Sequence, residues 1–157
     1  MGAPETAKER SDRQLGELLT ELRVALPGAQ VLLGFLLTAP FATRFGRITH
    51  GQRLTLLSCL LLTAASTVLL MAPSVYHRLR WEHGGKTDVV RVAHRFFLAG
   101  SASLAAGIVV AVYLAGDLIS GTSGAIASAG LVGATALCTW YLLPVVRARS
   151  APVRDEE

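Results

Sequence analysis

The chain has 157 residues, 52% of them hydrophobic and only 17% charged, with a mean hydropathy of +0.47. A soluble domain of this length carries more charge and less apolar surface, so water alone is excluded as its solvent. The net charge of +4 comes from basic residues gathered at segment ends, a pattern of membrane topology and no argument for nucleic acid as a partner.

Charges fall in the first 23 residues, between 44 and 53, between 78 and 95, and from 147 onward, with Asp117 alone outside these groups. A membrane-crossing helix needs about 20 mostly apolar residues. The uncharged tracts hold 20 residues between Arg23 and Arg44, 24 between Arg53 and Arg78, 21 between Arg95 and Asp117, and 29 between Asp117 and Arg147. The expected fold is therefore all-α and integral to a membrane, with four transmembrane helices at about residues 24–43, 54–75, 96–116 and 125–146. Residues 1–10 and 147–157 read as disordered tails, and 11–146 as a single membrane domain.

Ahead of the first span, "SDRQLGELLTELRVALPG" repeats Leu15, Leu18, Leu19, Leu22 and Leu26 at helical spacing, with Ser11 or Asp12 as a cap. Arg13, Gln14, Glu17 and Glu21 occupy the other face. This predicts an N-terminal amphipathic cytoplasmic helix that either lies along the inner membrane surface or packs against the cytoplasmic loop, and turns into the membrane around Pro27 and Gly28. Glu17 and Glu21 share the i, i+4 spacing of di-metal carboxylate sites, but solvated helix surface is the simpler reading.

In the first span Gln30, Gly34, Thr38 and Ala42 form an i+4 column, and Gln30 is the strongly polar residue well inside it. Small and hydroxyl residues in such columns serve helix packing. The second span, "LTLLSCLLLTAASTVLLMA", has no charged stripe of the kind a soluble core helix shows. Its column is Thr55, Cys59, Thr63 and Thr67. The two cysteines, Cys59 and Cys138, form no CxxC pair and read as small packing residues.

The second span leaves the membrane in "APSVYHRL", closely followed by Arg80 and Trp81. Tyr76, His77, Arg78, Arg80 and Trp81 suit a collar at headgroup level, where aromatic rings sit half wet and arginines reach lipid phosphates. After a glycine turn, Thr87 or Asp88 caps a helix that runs into the third span, with Arg91, His94 and Arg95 on one side of its first turns. His77 and His94 fall at the same depth on neighbouring helices. They are the candidate ligands for a metal or haem, but the surrounding arginines disfavour a bound cation. No metal or cofactor is assigned.

The third span carries Ala99, Ser103, Gly107, Ala111 and Ala115, a small residue at every fourth position. This column nominates an interface, its partner being either the fourth span, with Ala125, Ala129 and Gly133, or another protomer. "LISGTSG" suits a short loop before a helix that begins near Ala125. Trp140 and Tyr141 anchor the end of the fourth span, and Tyr113 lies toward the opposite face.

Orientation follows from the basic residues. The N-terminal segment, the second loop and the C-terminal tail hold twelve Lys and Arg together, the first loop three and the third none. Both termini are then cytoplasmic, in the cell (inner) membrane. No cleaved signal peptide is expected.

The segments "ELLTELRVALPGAQVLLGFLLTAPF", "APSVYHRL" and "AHRFFLAG" resemble a small actinobacterial membrane-protein family classed as a domain of unknown function. The resemblance implies a four-span inner-membrane protein and brings no activity. No catalytic constellation, phosphate-binding glycine loop or nucleophile elbow is present in the sequence. The reading is a non-enzymatic structural or accessory component. Its partners are the lipid bilayer, anionic headgroups included, and either a homo-oligomer or another membrane protein. The alternative is an oligomeric transport or redox component using the His77/His94 pair.

Overall fold

The computed structural model describes residues 6–43, 45–80, 86–143 and 146, with side chains placed for 6, 13, 16, 17, 20–43, 45–75, 91–143 and 146. Among the described residues every regular element is helical. These are α1 (Ala7–Thr38), α2 (His50–Arg80) and α3 (Lys86–Leu137), with two short 3-10 turns, Ala39–Phe41 and Phe45–Arg47, and a π-helical turn over Cys138–Leu142. Three helices are long and apolar enough to cross a membrane, over Thr20–Phe41, His50–Val75 and Arg91–Leu142.

The chain divides into two compact units, Met1–Ile108 and Val109–Glu157. In the first, α1 packs on α2. The predicted turn at Pro27 and Gly28 is absent, because α1 runs through Pro27 without a break. A proline inside a helix frees the carbonyl four residues earlier. Here that carbonyl belongs to exposed Arg23, near the charged end of the apolar stretch, where other groups can satisfy it.

The start of α2 is fixed by a reciprocal cap. The Thr49 N–H donates to Gln52 Oε1 at 3.0 Å, and the Gln52 N–H donates to Thr49 Oγ1 at 3.2 Å. This is the Thr-x-x-Gln form of the capping box, which satisfies two backbone donors at the helix start. The Arg53 guanidinium lies over the Phe45 ring, 5.6 Å from its centroid, and ties the preceding turn to the helix.

Burial along α2 alternates by three and four residues: Leu56, Cys59, Thr63, Ser66, Leu70 and Pro73. The same seven-residue period appears in α1 at Leu22, Ala29 and Leu36, and in α3 at Ala93, Gly100 and Gly107. A 3.5-residue spacing is the signature of helices that cross at a shallow left-handed angle. The α2–α3 pairing is antiparallel, since Gly100 lies against Leu70 and Gly107 against Thr63, seven residues up one helix for seven down the other.

The second unit is built around a reversal inside α3. Gly121 has φ 74° and ψ −176°, a conformation open essentially to glycine alone. A β-carbon at Gly116 would sit 2.8 Å from the Ala125 Cα and 2.7 Å from Ser128 Oγ, and one at Gly133 would sit 3.5 Å from Val109 Cγ2. A straight helix would separate residues 116 and 125 by roughly 14 Å, so the two arms fold back against each other. The expected loop over 118–124 is thus replaced by a single non-helical residue, and the helix resumes at once rather than near Ala125. The Thr122 hydroxyl donates to Asp117 Oδ1 at 3.3 Å across the turn.

Candidate lipid-facing collar and polar helix seam

The α2–α3 seam buries small and polar groups. Thr63 and Ser66 are fully buried, as is Cys59. The Cys59 thiol donates to the Gly107 carbonyl at 3.2 Å, and the Ser103 hydroxyl donates to the Leu62 carbonyl at 3.1 Å. Thr63 and Thr67 bond back to the carbonyls of Cys59 and Thr63, at 2.8 and 3.0 Å. Such back-bonding hides a hydroxyl on its own helix and lets the neighbouring backbone come close. Ser66 Oγ is the exception: it is buried and has no hydrogen-bond partner among the described residues. The Leu62 carbonyl, four residues before it, accepts from Ser103 instead.

The surface shows the opposite distribution. Phe35 is 72% exposed, Val68 68% and Leu131 71%, and Val31, Leu61 and Ile126 are also exposed. Large apolar groups this widely exposed, with Thr63 and Ser66 buried in the seam, depart from the arrangement of a water-soluble bundle.

Of the residues singled out in sequence, Ser103 and Gly107 lie in the seam and Ala111 is half-buried. Ala99 and Ala115 of the same column are exposed. Gln30, Gly34 and Thr38 are exposed on α1, away from its buried Leu22, Ala29 and Leu36. In the second unit Ala125 and Ala129 are buried, and Gly133 meets Val109 within that unit.

At the collar, Arg91, His94 and Arg95 are exposed on the first turns of α3. Tyr76, His77, Arg78 and Arg80 belong to the last turns of α2, but their side chains and all of Trp81 lie outside the described residues. The Gly100–Leu70 register, continued six residues back along α3, sets position 94 level with position 76, at the same end of the hairpin as position 77. Among the described residues no three His, Cys, Asp or Glu side chains gather as metal ligands.

Sequence reasoning missed Ser66, Gly100, Gly116 and the Thr49–Gln52 box, and it took Gly121 for part of a longer loop. The Thr-x-x-Gln spacing was legible, and so was the seven-residue interval from Ala93 through Gly100 to Gly107.

A family model described as a family of unknown function, DUF6328, matches residues 4–144. The chain belongs to that family. The match covers both the helix seam and the collar, and the family description assigns no activity to either. No curated protein and no solved structure matches the chain.

Proposed function

We propose that this family member is a four-span, multi-pass protein of the cell (inner) membrane, with both termini cytoplasmic. It acts as a non-enzymatic structural or accessory component that engages anionic lipid and helix partners. The observation that carries this reading is the outward exposure of Phe35, Val68 and Leu131 on helices long and apolar enough to cross a membrane, with Thr63 and Ser66 buried in the seam. Hydrocarbon favours that arrangement, because a satisfied hydroxyl costs little between helices and an apolar side chain costs nothing against lipid.

The fourth span is supported by the reversal at Gly121. Straight, the 52 residues of α3 would measure about 78 Å, against a hydrocarbon core of about 30 Å. Folded back, each arm suits one crossing.

Lipid engagement centres on Arg78, Arg80, Arg91 and Arg95, with Tyr76, Trp81, His77 and His94 as the interfacial setting. The exposure of Arg91 and Arg95 supports this. Each basic residue near an anionic surface contributes about 1 kcal/mol. Replacing the four arginines by glutamine should lower retention of anionic lipid through purification by roughly tenfold or more, while the protein still sediments with membranes. Unchanged lipid retention would remove the headgroup role.

A further inference from the structure

The outward face of α1 carries a polar group that no described residue meets. Gln30 lies inside the apolar stretch Thr20–Phe41, seven residues past Arg23, is exposed, and makes no hydrogen bond to any described residue. A primary amide held in hydrocarbon without a partner costs several kcal/mol, so the membrane reading, on which this inference rests, requires that something meet it.

We propose that the partner is a second copy of this chain, bound through the α1 face that carries Gln30, Gly34 and Thr38. An amide has both a donor and an acceptor. Copies inserted in one membrane share an orientation, so a two-fold axis along the membrane normal brings Gln30 of one protomer to the same depth as its equivalent. Each amide then donates to and accepts from the other, an isologous and self-completing contact. A different protein would have to supply a matching polar group at that depth; the identical chain supplies it by symmetry.

The geometry around Gln30 permits this approach. One turn along, a β-carbon at Gly34 would meet nothing within 4 Å, so the face is open there. Val31 and Phe35, both exposed, stand beside that opening as apolar ridges for a facing helix. The Thr38 hydroxyl already donates to the Phe35 carbonyl at 2.8 Å and makes no demand of its own. The pairing surface therefore combines one polar group that needs a partner with a cleft that allows close backbone contact, the two features that drive helix association in lipid. The buried face of α1, at Leu22, Ala29 and Leu36, is left undisturbed.

Oxidative cross-linking in native membranes tests it. In a Cys138→Ser background, which removes the exposed thiol, Gly34→Cys and Thr38→Cys should each give an adduct at about twice 16.6 kDa. Leu61→Cys and Ile126→Cys, on other exposed surfaces, should not. Adding Gln30→Leu should weaken association roughly three- to thirtyfold, measured by dilution into lipid or detergent, with helicity and thermal transition unchanged. A membrane-embedded chain with no self-adduct at 34 or 38, or with an adduct to another polypeptide in its place, overturns the pairing and leaves the membrane reading standing. Insensitivity of the dimer to Gln30→Leu also overturns it. Recovery of the protein in the soluble fraction overturns both.

Discussion

Ser66 shows how narrowly the seam is filled. Its hydroxyl is buried without a described partner, and the carbonyl it would ordinarily bond on its own helix receives Ser103 from across the interface. A buried hydroxyl left unmatched destabilises by about 1–3 kcal/mol relative to a satisfied one. Ser66→Ala removes that hydroxyl and leaves the Ser103 bond in place. Its expected effect is neutral to stabilising by up to about 1 kcal/mol, read as the midpoint of denaturant or thermal unfolding in detergent. A loss of more than that amount would mean that Ser66 holds a bond that matters. Thr63 and Thr67, close by on the same helix, already bond back to their own helix, so of these three hydroxyls Ser66 alone carries this expectation.

At the level of the helices, close approach is concentrated at a few glycines, and two glycines in the second unit make opposite predictions. Gly116 lies against the Ala125 backbone and Ser128, whereas an added β-carbon at Gly130 meets nothing within 4 Å. Gly116→Ala should therefore destabilise by about 1–3 kcal/mol through overpacking. Gly130→Ala should be neutral or gain up to about 1 kcal/mol from the better helix former. Comparing the two by unfolding in the same detergent checks the packing directly, and equal effects would refute it. The same glycines mark the limit of sequence reading. The long helices were legible because hydrocarbon thickness fixes the length of an apolar tract and arginine marks its ends. The seam was not, because in an all-apolar surround a small residue can face a helix, a lipid or another protomer with equal ease. The i+4 columns drawn through Thr55, Cys59, Thr63 and Thr67 include the buried pair Cys59 and Thr63, but burial then follows the 3.5-residue period to Ser66 and Leu70. Pro27 and Gly121 misled in opposite senses, since proline was tolerated inside a helix while one glycine did the work assigned to a seven-residue loop. For the collar, the sequence supplied the residues and the structure adds the exposure of Arg91, His94 and Arg95.

For the molecule in its membrane, the decisive feature is the parity of its crossings. Three apolar helices crossing once each would put the two ends of the chain on opposite sides. On the four-span reading proposed above, the fold-back at Gly121 turns the third into two arms, so that the number is even and both ends lie on one side. The basic residues favour the even count, with twelve Lys and Arg in the two terminal segments and the second loop against three in the first loop. Reporters active only in the cytoplasm should thus work when fused before residue 1 and after residue 157. A reporter inserted at the 120–122 turn should work only when it is of the kind active outside. That turn also holds Asp117, whose carboxylate accepts from Thr122. A charged group of this kind is tolerated at the headgroup level and strongly disfavoured in mid-bilayer, which supports the proposed placement of the turn at a membrane surface. Opposite signals from the two ends would mean that α3 crosses once, with the fold-back lying on or outside the membrane. In that event the apolar 122–137 arm would have to be covered by another surface.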